Sequence, residues 1–212
     1  MQWTLVIPLK ALARAKSRLS DTAADGLRPG LALAFAQDTV AAALACPAVK
    51  DVAVVTDDAL AGRELSALGA LIVPDEPQGG LNTALRHAAA AVRSTRPESA
   101  VAALNADLPA LRPLELARVL DAAAEFPRAF LPDAAEIGTT LLAAAPGREL
   151  LPVFGTDSRA RHRASGAVEL TLTDVDSVRQ DVDTGADLRA ALALGVGPRT
   201  AAAAARLLIP GQ

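Results

Sequence analysis

The apolar positions of this chain fall into short unbroken runs, not alternations. Trp3-Thr-Leu-Val-Ile7 is closed by Pro8. Asp51-Val-Ala-Val-Val-Thr56 ends in Asp57 and Asp58. Ala70-Leu-Ile-Val73 stops at Pro74, and Val101-Ala-Ala-Leu104 breaks into Asn105, Asp107 and Pro109. Runs of this length without alternation predict strands buried on both faces, as in a parallel sheet covered by helices. Proline cannot donate to a ladder, so each Pro marks a strand end.

Between these runs the pattern turns helical. Leu31 to Cys46 is rich in Ala and Leu, both strong helix formers. Asp58 is placed to cap a helix running to Leu68, with Gly69 as its C-terminal stop. Asn82 is read as the cap of a helix to Val92, and Pro113 opens one to about Glu125. Shorter strands follow at Arg128–Leu131, Gly138–Ala144 and Val168–Leu172. Phe154-Gly-Thr-Asp-Ser158 precedes a helical segment carrying Arg159, Arg161, His162 and Arg163. Thr184 with Asp187 makes a short capping box for a helix through Leu194, and a last helix is expected from Thr200 to Leu208. Strand and helix thus alternate first, and shorter mixed strands come later. The expected fold is α/β, three-layered, with a mostly parallel sheet and one antiparallel insertion.

Composition narrows the function classes. The 212 residues suit one domain spanning 1–212. Only 2% are aromatic, which argues against a base-stacking platform for single-stranded nucleic acid. The net charge of −3 provides no global basic field, so no nucleic-acid partner is expected. A single cysteine, Cys46, rules out a disulfide framework and reads as a small core residue. Two histidines are too few for a histidine-based zinc site. The start Met-Gln-Trp-Thr has no basic region before its first strand, and no apolar run reaches about 18 residues. A cytoplasmic protein with no membrane partner is therefore expected.

The candidate chemistry sits at strand ends. Asp107 follows a central strand, on the edge where ligands bind in open α/β sheets. A carboxylate there suits magnesium, which takes one or two protein carboxylates together with phosphate oxygens. An ordinary turn or cap explains Asp107 as well. Lys10, Arg14, Lys16 and Arg18 follow the first strand; in an extended loop residues 14, 16 and 18 share one side. They form either a triphosphate-binding edge or a solvated basic face. Gly79-Gly80 permits close backbone approach to a ligand or simply makes a turn. Gly155 and Ser158, at a helix start, can cradle an anion with backbone N–H groups or serve as a plain cap.

Taken together, Ile7-Pro-Leu-Lys10 with Ala15-Lys-Ser-Arg-Leu19, Gly80-Leu-Asn82, Ala106-Asp-Leu-Pro109, Gly138-Thr-Thr140, Phe154-Gly-Thr-Asp-Ser158 with His162, and Asp181-Val-Asp-Thr184 carry a resemblance. In order and spacing they resemble the 2-phospho-L-lactate or phosphoenolpyruvate guanylyltransferases of deazaflavin coenzyme (coenzyme F-420) biosynthesis, over nearly the whole chain. The resemblance implies a nucleotidyltransferase fold of the glycosyltransferase-A type and transfer of GMP from GTP to a small phospho-acid, with release of pyrophosphate. It implies that Thr140, Gly155 and Ser158 bind the acid. It implies Asp107 and Asp183 as Mg2+ ligands, with Asp181 as a helper. Lys16, with Lys10, Arg14 and Arg18, would face the triphosphate; Gly79, Gly80 and Asn82 would lie near the guanine. Lys16, Asp107 and Asp183 would thus carry catalysis. A homodimer is the candidate assembly.

The residue types agree with that chemistry. A phosphate nucleophile is already ionised at neutral pH, so no Ser-His-Asp or Cys-His arrangement is needed, and none is found. The Ala- and Arg-rich composition suggests a GC-rich, actinobacterial genome, where the resemblance favours phosphoenolpyruvate. Two alternatives stay open: a related nucleotidyltransferase with another phosphorylated acceptor (molybdopterin or a sugar phosphate), and a non-catalytic nucleotide-binding module. A dinucleotide-dependent oxidoreductase is disfavoured, because no Gly-x-Gly-x-x-Gly follows the first strand.

Overall fold

The computed structural model describes residues 1–12, 26–75 and 79–207. Arg14, Lys16 and Arg18 lie outside the described residues. Among those described, β1 (Trp3–Pro8), β2 (Val49–Val55), β3 (Leu71–Val73), β4 (Ala100–Leu104), β5 (Arg128–Pro132), β6 (Thr139–Ala144) and β7 (Val168–Glu169) form one sheet in the order β3-β2-β1-β4-β6-β5-β7.

The β1–β2, β1–β4, β2–β3 and β5–β7 pairs are parallel, whereas β6 runs antiparallel to both β4 and β5. The sheet is thus mostly parallel with one antiparallel insertion, as the run pattern predicts. All of β4 and all of β6 are buried, which accounts for their unbroken apolar sequences.

Helices cover both faces. The larger apolar cluster packs α1 (Arg28–Leu44) and α4 (Pro113–Ala123) against one side, through Trp3, Leu5, Ile7, Val40, Leu116 and Leu120. The smaller packs α3 (Leu81–Thr95) against the other, through Val6, Val55, Leu85, Phe130 and Leu142. The remaining helices are α2 (Ala59–Ser66), α5 (Ser158–Ala164), α6 (Asp176–Arg179), α7 (Gly185–Leu194) and α8 (Pro198–Ala205). None of the described helices is long and apolar enough to cross a membrane.

Local chemistry explains most boundaries. The Asp58 carboxylate accepts from Leu60 N and Ala61 N and caps α2. Thr184 and Asp187 complete the expected capping box on α7. Four expectations shift. Asn82 does not cap α3; Gly80 does, with φ +83, a conformation in which a side chain would be strained. The C-cap of α2 is Ala67, and Gly69 follows it with φ +105. The strand expected at Val168–Leu172 is only two residues long, at the sheet edge. Cys46 is buried just past the end of α1 and is a free thiol.

Candidate active site

The carboxyl ends of β1 and β4, the start of α3 and the loops around α5 and α7 enclose two adjoining cavities. The first, of about 600 Å³, is walled by Asp133, Ile137, Gly138, Thr139 and the run Phe154–Ser158. The second, of about 410 Å³, is walled by Pro8, Leu9, Val55, Asp75, Gly80 and Asp107. Lys10, Leu81, Asn105, Asp181 and Asp183 line both. The cleft therefore has two lobes, and a cation and two carboxylates stand where they meet.

The loop bearing Asp107 is fixed by its backbone. Asn105 N donates to Thr140 O at 2.9 Å. Leu108 N donates to Thr39 Oγ1 at 3.0 Å, and that hydroxyl in turn donates to Phe35 O within α1. Val182 N donates to Asp107 O at 3.1 Å, joining this loop to the one carrying Asp181 and Asp183. Asn105 Nδ2 approaches Asp181 Oδ2 at 3.4 Å. Backbone groups of a buried strand end have few alternatives to these bonds, so the three acidic residues ride on a rigid frame.

The start of the basic loop is held by Asp58. Its Oδ2 accepts from Leu12 N at 2.9 Å while the other oxygen caps α2. These backbone donors, Ala61 first and Leu12 next, hold the Asp58 carboxyl below its ordinary range.

The first lobe is shaped by the turn from β5 to β6. The Asp133 carboxylate accepts from Ile137 N and Gly138 N at 3.0 and 2.8 Å. A Cβ at Gly138 would lie 2.4 Å from Asp133 Oδ2, so a side chain there would displace the carboxylate that holds this turn. Arg159 and Arg179 both reach Glu136 and pin the turn from outside. Gly155 has φ +116, and Asp157, just before α5, is left-handed as well.

The placement of Ser158 narrows its expected role. Its side chain is buried in the first lobe. Ser158 N already donates to Gly155 O and Arg159 N to Ile137 O, so these two N–H groups are not available to an anion. Thr140 is fully buried, its Oγ1 has no hydrogen-bond partner, and it lines neither cavity. Thr139, one residue earlier, lines the first lobe. Periodicity alone could not choose between adjacent threonines at a strand entrance.

His162, for which charge and spacing gave no role, bonds to Thr139 of the first lobe's wall. It is fully buried, packed edge-on against Phe154 and tilted against Phe130. Its Nε2 accepts from Val153 N at 3.1 Å, so Nε2 carries no proton. The neutral ring then bears its proton on Nδ1, which lies 2.9 Å from Thr139 Oγ1. Thr139 accepts there and keeps its own hydroxyl proton to donate. Burial, followed by the charges of Arg128 and Arg161, pushes the His162 pKa down to about 4.

Asn82 lies in the first turn of α3 but in neither cavity lining. Its side-chain amide bonds both ways to the Phe154 backbone. Gly80 lines the second lobe, and Gly79 packs so close that a Cβ would lie 2.8 Å from the Thr83 side chain.

The family model described as "Guanylyl transferase CofC like" matches residues 3–200. The chain belongs to this family. It is accordingly a nucleotidyltransferase, and its fold is that of the nucleotide-diphospho-sugar transferases. A relative from Streptomyces avermitilis, named phosphoenolpyruvate guanylyltransferase, is 87% identical over 100% of this chain and 98% of its own length. Among solved structures, a nucleotidyl transferase from Methanothermobacter thermautotroptrophicus aligns over 91% of this chain and 97% of its own, with a TM-score of 0.64 at 20% identity. A protein from Mycobacterium tuberculosis, solved in complex with manganese, aligns over 91% and 99% with a TM-score of 0.56 at 22% identity.

Proposed function

We propose that this protein transfers GMP from GTP to the phosphate of phosphoenolpyruvate, releasing pyrophosphate, in the biosynthesis of the deazaflavin coenzyme F-420. One observation carries the reading: two cavities of substrate size share a wall made of Lys10, Leu81, Asn105, Asp181 and Asp183. It is supported by the name of the 87% identical relative.

The triphosphate occupies the second lobe, beside Lys10, Gly80 and Asp107, and the phospho-acid the first, beside Thr139, Gly155 and Ser158. An acceptor phosphate oxygen attacks the α-phosphorus of GTP. A new P–O–P bond forms there as the bond to the β-phosphate oxygen breaks, and no proton changes hands. Positioning and charge neutralisation are then the protein's main tasks. Lys10 stands at the junction, where two anions must approach. An acceptor phosphate oxygen that is already ionised needs no general base.

The residues present also fit a divalent cation. Asp107, Asp181 and Asp183 offer hard oxygen donors beside the triphosphate lobe. Among the described residues no group of three or more acidic, histidine or cysteine side chains forms a ready-made cage. Magnesium takes one or two carboxylates and completes its shell with substrate phosphate and water. Such an ion, when bound, offsets the charge of the phosphates.

The test is pyrophosphate release from GTP with phosphoenolpyruvate, 2-phospho-L-lactate and 3-phosphoglycerate side by side. Phosphoenolpyruvate is expected to give the highest kcat/KM. A clearly higher value for 2-phospholactate overturns the acceptor assignment.

A further inference from the structure

We infer that Asp75 selects guanine, by accepting hydrogen bonds from the N1–H and the 2-amino group of the base. The inference rests on the proposal that GTP is the donor nucleotide. Asp75 stands two residues past β3 and lines the second lobe. Its backbone is fixed: Asp75 N donates to Asp57 Oδ1 at 3.0 Å, and Val73 O accepts from Thr56 N at 3.0 Å. Its Oδ1 is buried and has no hydrogen-bond partner. A buried acceptor left unsatisfied is costly, and Asp75 lines a ligand cavity, so its carboxylate points to a donor on the ligand.

The lining of the lobe says which ligand part this is. The cavity that Asp75 lines also offers Ala32, Val55, Leu81 and Ala84, apolar surface suited to a base and not to phosphates. Lys10, Asp107 and Asp183 also line this cavity and provide for the polyphosphate and its cation. An acid among apolar walls repels phosphate, so the base is the part of the nucleotide that belongs beside it.

Base chemistry then selects guanine. A carboxylate only accepts, through two oxygens side by side. Guanine places two donors next to each other on its Watson–Crick edge, N1–H and N2–H. Adenine presents an acceptor at N1, cytosine an acceptor at N3, and uracil a single N–H flanked by two carbonyls. Only guanine satisfies both oxygens without setting an acceptor against the acid. A site built to bond a substrate N–H discriminates strongly against analogues that lack it, because its own buried group is then stranded.

The experiment compares kcat/KM for GTP, xanthosine triphosphate, inosine triphosphate and ATP in the wild type and in Asp75→Asn. An amide at this position keeps one acceptor for N1–H and offers a donor to the 2-oxo group of xanthine. The variant should lose roughly 10- to 150-fold on GTP, the worth of a charge-assisted hydrogen bond. It should gain on xanthosine triphosphate relative to GTP. An equal loss with all four nucleotides, or an unchanged GTP-to-xanthosine ratio, overturns the assignment. The wild type supplies a second measurement that needs no variant: inosine triphosphate and 1-methyl-GTP, each lacking one donor, should both be poorer than GTP. Equal use of GTP and 1-methyl-GTP overturns the assignment even if Asp75→Asn fails to fold. A wild type that uses ATP as well as GTP rejects the donor assignment itself, and the role of Asp75 falls with it.

Discussion

The side chain of Asn82 makes two hydrogen bonds to the backbone of one residue, Phe154. Nδ2 donates to its carbonyl at 3.0 Å, and Oδ1 accepts from its N–H at 2.8 Å. The pair imitates a strand bridge across 72 residues of sequence. It ties the first turn of α3, which follows the Gly79-Gly80 loop of the second lobe, to the Phe154–Ser158 loop of the first. Asn82 is therefore a positioning residue that sets the two lobes relative to each other.

Asn82→Ala should strand both Phe154 groups and cost about 2–3 kcal/mol of stability. It should also raise KM for both GTP and the phospho-acid, since neither loop keeps its register. Asn82→Asp retains the acceptor and loses the donor, and should fall between the two. Denaturant unfolding with two-substrate kinetics checks this. Unchanged KM values in a destabilised Asn82→Ala would leave the bridge purely structural.

His162 gives the protein a pH dependence of known sign. Its folded-state pKa is depressed to about 4, mainly by burial, against an unfolded value near 6.5. The unfolded chain thus takes up a proton more readily than the folded one. This stabilising contribution is complete above about pH 6.5 and is lost as the pH falls towards 4, by about 3 kcal/mol. His162→Gln should flatten stability against pH over that window while lowering stability at pH 7. An unchanged pH slope would show that His162 is not the group responsible.

The buried framework was legible because its signals are local. Unbroken apolar runs ended by Pro or Asp gave β1, β2, β3 and β4, and the Thr184–Asp187 box gave the start of α7. Sites where local rules compete were less legible. Asn82 obeys the composition of a cap, yet the tertiary bond to Phe154 claims its amide, and Gly80, with its positive φ, takes the cap. Thr139 and Thr140 are equivalent in sequence and both buried, and only Thr139 lines a cavity. Asp75 is followed by Pro-Gln-Gly-Gly within a few residues and reads as a loop acid. Only the cavity and the orphaned oxygen set it apart.

The proposed reaction gives Asp107 and Asp183 the task of holding a divalent ion that offsets phosphate charge. Asp107→Asn and Asp183→Asn are isosteric, and backbone bonds hold both loops through Leu108 N, Val182 N and Thr184 N. Each variant is therefore expected to fold and to lose turnover, with weakened magnesium dependence. Pyrophosphate release across a magnesium titration, with circular dichroism as the folding control, checks this. Near wild-type turnover of Asp107→Asn at saturating magnesium would remove it from the metal site.

Ser158 tests the division of the cleft into two lobes. Its side chain is buried on the wall of the first cavity, and a Cβ at Gly138 would sit 3.8 Å from its Oγ. It does not line the second cavity. On the proposed division of the cleft, the hydroxyl donates to the phospho-acid and not to the triphosphate. Ser158→Ala removes that donor without adding bulk. A hydrogen bond to a charged ligand is worth about 1.5–3 kcal/mol, so KM for the acid should rise about tenfold or more. KM for GTP should stay close to wild type, since the walls of its lobe are untouched. Initial rates with each substrate varied at saturating levels of the other separate the two effects. A rise in KM for GTP with no change for the acid would reverse the assignment of the lobes.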